Sequence, residues 1–131
     1  MATEILVNDG GAPARILPFT ASGAATLSGG RLIAINDVTN GQIGLAATGA
    51  ANGIGFLFTD TTSGQNCSVI TGKGVILNVS VNAADNACAL GDLLSISANG
   101  DLVSQQGTDT AYAIAMEALA SGLGYVKVIT L

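Results

Sequence analysis

The chain has 131 residues, one domain by size, with nine acidic and four basic side chains and a net charge of −5. Hydrophobic residues make up 49% of it, but Gly, Ser, Thr, Asn or Asp interrupts them every few positions, so no run approaches the ~20 residues that cross a bilayer. Four scattered cations form no basic footprint, which argues against direct nucleic-acid binding.

In chain order, Met1-Ala2-Thr3-Glu4-Ile5-Leu6-Val7 lacks the basic and long apolar regions of a secretory leader. The expectation is a protein made and kept in a cytoplasm. Asn8-Asp9-Gly10-Gly11-Ala12-Pro13 reads as loop. Pro13 and Pro18, the only prolines, bracket Ala14-Arg15-Ile16-Leu17. That pattern fits an extended segment, either a sheet edge or an arm reaching away. Residues 1–18 are taken as this arm or edge segment, and residues 19–131 as a single β domain.

From there the chain repeats itself. Gly30-Arg31-Leu32-Ile33-Ala34-Ile35, followed by Asn40-Gly41-Gln42-Ile43, opens one copy. Gly91-Asp92-Leu93-Leu94-Ser95-Ile96, followed by Asn99-Gly100-Asp101-Leu102, opens another about 60 residues later. Each reaches a Ser-Gly pair, at 63–64 and 121–122, and closes on Val-Ile-Thr, at 69–71 and 128–130. The pseudo-repeats run over about 19–71 and 79–130.

The dominant period is two, the mark of half-buried strands. Val75, Leu77, Val79 and Val81 fall on one face, and Ile76, Asn78 and Ser80 on the other. Val126 and Val128 oppose Tyr125 and Lys127. Turn chemistry separates the runs every 8–12 residues or so, including Asn40-Gly41 and Asn99-Gly100, as in sandwiches and barrels. One stretch conflicts with this: Ala111-Tyr112-Ala113-Ile114-Ala115-Met116-Glu117-Ala118-Leu119-Ala120 is rich in helix formers. Its counterpart in the first copy, Gly53 to Thr62, has two glycines, two phenylalanines and three threonines and reads as a strand. The repeat therefore predicts a strand near 112–117. The expected fold is all-β: a compact barrel or sandwich of two pseudo-repeats with an extended N-terminal arm.

Little in the chain suggests chemistry. With no histidine, Ser-His and Cys-His catalysis and the commonest metal ligand are gone. Cys67 and Cys88 alone build neither a zinc site nor a disulfide framework, though a bond between them stays open. Gly72-Lys73-Gly74 lacks the upstream glycine, the following Ser or Thr and the helix of a phosphate loop. Asp85-Asn86 and Asp92 belong to turns, where such residues serve the backbone. Of the five aromatics, Phe56 and Phe58 are assigned to the core, and there is no Trp for a sugar platform. No enzyme activity, cofactor or metal is expected. Low charge fits a coat of neutral polar residues or burial against partners, and the second is preferred.

The run Gly91-Asp92-Leu93-Leu94-Ser95-Ile96, with Asn99-Gly100-Asp101-Leu102-Val103, Ala113-Ile114-Ala115-Met116-Glu117-Ala118-Leu119-Ala120-Ser121-Gly122 and Val126-Lys127-Val128, resembles the C-terminal half of tailed-bacteriophage head decoration (capsid cement) proteins. Gly55-Phe56-Leu57-Phe58-Thr59-Asp60-Thr61-Thr62-Ser63-Gly64, with Val69-Ile70-Thr71-Gly72-Lys73-Gly74-Val75-Ile76, resembles their first half. The resemblance covers about residues 19–131. It implies a structural virion protein on the outer capsid surface, bound to the major capsid protein and stabilising the shell. It also implies a homo-oligomer, with a trimer favoured, and no contact with membrane or packaged DNA. By analogy the N-terminal segment would grip the capsid through Ile5, Val7, Pro13, Arg15, Ile16 and Pro18. The competing expectation is a host-surface or glycan-binding β module.

Overall fold

The computed structural model describes residues 5–8, 15–22, 26–37 and 39–131, with the backbone alone at 7 and 8. Eleven strands are found among them: β1 (Leu6–Asn8), β2 (Arg15–Thr20), β3 (Leu32–Asp37), β4 (Gln42–Leu45), β5 (Gly53–Leu57), β6 (Asn66–Thr71), β7 (Ile76–Asn82), β8 (Leu93–Ile96), β9 (Leu102–Ser104), β10 (Ala113–Ala115) and β11 (Leu123–Thr130).

The repeat read from sequence is a repeat of topology. One sheet runs β2-β6-β5-β3-β4 and the other β7-β11-β10-β8-β9, with β1 added outside β7. These are the same order, strand for strand. Each order also closes on itself through one parallel pairing, Ala21 with Ile43 in the first and Val81 with Leu102 in the second. A further antiparallel bridge recurs as well, Leu27 with Thr61 and Cys88 with Leu119. Each repeat is thus a five-stranded ring. The rings begin a little earlier than the sequence comparison placed them, because Arg15 already pairs with Thr71 and Ile76 with Ile129.

Alternation decides what fills each ring. In the first, Ala21, Leu27, Ile33, Ile43, Leu57, Cys67 and Val69 form one buried cluster. Their equivalents, Val81, Cys88, Leu94, Leu102, Ala115, Val126 and Val128, are buried in the second. The predicted face Val75, Leu77, Val79 and Val81 is buried as expected. The helix-like stretch forms strand β10, paired on both sides, with Ile114 opposite Ile129 and Leu93. Ring closure overrides helix propensity there: without β10, both β8 and β11 would lose a partner.

The outer faces of the two rings differ. In the first, Ile16, Ile70, Phe56 and Leu32 lie directly opposite one another across four strands. Ile70, Phe56 and Leu32 are at most 3% exposed and share a core cluster with Val75 and Leu77 of the second ring. Burying each contributes roughly 1.5–3 kcal/mol. The outer face of the first ring therefore closes one end of the second. Polar bonds fix this junction. Leu32 N–H donates to the Gly100 carbonyl at 2.8 Å, and Ser80 N–H to the Gly30 carbonyl at 2.9 Å. The Tyr112 hydroxyl accepts from Gly53 N–H at 3.0 Å and donates to the Ala50 carbonyl at 2.9 Å. Arg31 of the first repeat pairs with the buried Asp101 of the second at 3.5 Å, and the Ser80 hydroxyl donates to the same carboxylate at 2.6 Å.

Candidate interaction surfaces

The N-terminal segment does not reach away from the domain where it is described. Ile5 is 2% exposed and belongs to the main core. Its carbonyl accepts from Asn78 N–H at 2.8 Å, and Leu6 pairs with Leu77. Ile5 is therefore a core residue and no contact for a partner, which corrects its place in the predicted set. An apolar side chain beside β7 is worth more inside than out. The side chain of Val7 and all of Pro13 lie outside the described residues. Arg15, Ile16 and Pro18 are exposed on β2. The structure thus brings three of the six predicted residues together on one exposed strand.

The environment of β2 differs from that of its counterpart β7. β7 carries β1 along the edge away from β11. Along the equivalent edge of β2, the described residues hold only the Ala21–Ile43 bridge at its far end. Leu17 shows the consequence: it is 38% exposed, whereas its equivalent Leu77 is 1% exposed. Arg15 stands where the second repeat has the buried Val75. An open edge with a cation and apolar neighbours can add a partner strand or pack against a partner face.

A second surface escaped the sequence reading. Ile76, Ile129, Ile114 and Leu93 lie in register across β7, β11, β10 and β8. This is the second repeat's version of the row that the first repeat buries. Here Leu93 is 41% exposed and Ile76, Ile114 and Ile129 are half-buried, while Met116, Leu123 and Leu131, outside the row, are 40%, 60% and 48% exposed. The signal that would have found it is the outward parity of both repeats taken together. Ile114 and Leu93 hold the positions of Phe56 and Leu32.

A cleft of ≈ 460 Å³ lies between the rings, with Phe56, Ile70 and Leu77 among its walls and Lys73 at its lining. It brings together no acid–base pair. Among the described residues no group of three His, Cys, Asp or Glu is placed to hold a metal ion. Cys67 and Cys88 are both free and buried. Burial pushes both thiols up, and the nearby Asp92 carboxylate adds to the rise at Cys88. Such thiols are poor nucleophiles. At the half-buried Asp37, hydrogen bonds from the side chain and backbone of Asn40, then from Thr39 N–H, hold the carboxyl below its ordinary value. This is turn chemistry on the link into β4.

No protein-family model matches the chain, and no curated protein matches it. Among solved structures, the chain is similar to the head fiber gp8.5 N base of bacteriophage phi29, with a TM-score of 0.64 and 19% identity over 89% of this chain and 95% of that one. At that identity the likeness speaks for the fold: the two-ring β architecture is shared with a phage head fiber base.

Proposed function

We propose that the chain is a structural protein of a tailed-phage virion, bound to the outside of the capsid shell through the major capsid protein and stabilising it. The observation that carries this reading is the fold likeness to a phage head fiber base over nearly the whole of both chains. The decoration-protein resemblance over residues 19–131 supports the same role. So does a chain with only 10% charged residues that exposes apolar side chains on more than one face. Contacts of this kind need not be strong one by one, because a symmetric shell repeats them. On this reading the open strand β2, with Arg15, Ile16 and Pro18, meets the capsid protein, and the protein acts as a homo-oligomer, with a trimer favoured.

The test is co-sedimentation with shells purified from phage lacking this protein. The purified chain should pellet with them and raise the temperature at which they release DNA. Failure to pellet, together with binding to host glycans, would overturn the reading in favour of a host-surface module.

A further inference from the structure

The junction between the rings shows what such an apolar row packs against. In the first repeat the row Ile70–Phe56–Leu32 is covered by the end of the second ring, at Val75 and Leu77. In the second repeat the equivalent row Ile76–Ile129–Ile114–Leu93 has no ring beyond it among the described residues. The complementary element is open too. The first ring's end, where Leu17 replaces Leu77, is 38% exposed at Leu17. One chain thus carries one junction made and one unmade, with both halves of the unmade junction on its surface.

We infer that the outer row of the second repeat packs against the open end of the first repeat of a second copy, renewing between chains the packing that joins the repeats within one. Such a contact is heterologous. Two different surfaces meet, so it propagates head to tail and ends only by closing a ring. The apolar chemistry matches on both sides: Leu93, with Ile114 and Ile129 beside it, on one, and Leu17 on the other. Arg15, in place of Val75, lets the open end tolerate water before assembly, while its aliphatic stem can lie along an apolar partner afterwards. This inference rests on the fold and its repeat; it uses the Leu17 face of β2, and leaves the opposite face, with Ile16 and Pro18, to the proposed capsid contact.

The experiment uses the purified full chain and two variants, Leu93→Glu, which spoils the row, and Leu17→Glu, which spoils the open end. Both positions are more than a third exposed, and unchanged thermal melts would show that both variants fold. In light scattering, the wild type should show masses beyond a dimer, and each variant alone should fall to the monomer mass. An equimolar mixture of the two should return to a dimer and go no further, because it holds one intact pair of surfaces. A wild type that stays monomeric, a variant that still associates by itself, or a mixture that stays monomeric would each overturn the inference. If the wild type is monomeric and Leu93→Glu instead abolishes binding to shells, the row belongs to the capsid protein and the inference fails while the proposed function stands.

Discussion

Leu32 and Leu93 occupy the same position in the two repeats, opposite Phe56 and Ile114 respectively, yet Leu32 is 1% exposed and Leu93 41%. The difference comes wholly from what lies outside each ring. Leu32→Ala should cost about 2–5 kcal/mol in urea melts of the monomer, and Phe56→Ala about 3–5 kcal/mol. Leu93→Ala should stay under about 1 kcal/mol. Equal losses at the two leucines would show that the second ring does not shelter the first ring's face.

The glycines that open β3 and β8 make the same comparison through the backbone. Gly30 and Gly91 have φ of 84° and 88°. A Cβ at Gly91 would meet nothing, whereas one at Gly30 would lie 2.8 Å from the Tyr125 ring and 3.2 Å from the Asn78 carbonyl. Gly91→Ala should therefore cost only the backbone strain of about 1–2 kcal/mol. Gly30→Ala should cost clearly more, as the Tyr125 ring must also move. Thermal melts of the two variants side by side check this.

The bridge from Arg31 to Asp101 ties the two repeats by charge. The Asp101 side chain is 7% exposed and that of Arg31 21%. Removing the acid leaves a half-buried cation and strands the Ser80 hydroxyl. Asp101→Ala should destabilise by about 2–4 kcal/mol. The double variant Arg31→Met with Asp101→Ala should recover part of that loss, since no unpaired charge remains. A double variant as weak as the sum of the singles would show that the pair is uncoupled.

Tyr125 makes stability depend on alkaline pH. Burial first, then the Asp60 and Asp101 carboxylates, push its hydroxyl above the ordinary value of 10.0, with Arg31 opposing. The neutral hydroxyl donates to the Gly29 carbonyl. A group whose folded value is raised stabilises fully below its unfolded value and loses that contribution as pH rises through the folded one. Denaturant midpoints should therefore fall above pH 10 more steeply for the wild type than for Tyr125→Phe. Parallel slopes would rule out this tyrosine as a source of the dependence.

The period-two faces and the repeat were legible from the residues, because ring interiors select apolar side chains on alternate positions in both copies. The repeat was also enough to recover β10 from a stretch that reads locally as helix. What stayed hidden is which copies of a repeated feature are covered. Leu32 and Leu93 are the same residue in the same pattern, and only the docking of one ring on the other separates them. Ile5 was misplaced for a related reason. Its neighbours look like an arm, and its burial depends on the edge of β7 at Asn78, far along the chain. The Arg31–Asp101 pair had no signature, since the repeat aligns Arg31 with Asp92 and Asp101 with Gln42.

The most direct measurement is an image of the phage particle, by cryo-electron microscopy of shells lacking this protein before and after its addition. New density is expected on the outer surface, at symmetry-related positions, into which the two rings fit with Arg15, Ile16 and Pro18 of β2 against the shell. Shells unchanged by saturating protein, or density inside the shell against the packaged DNA, would contradict the proposed function.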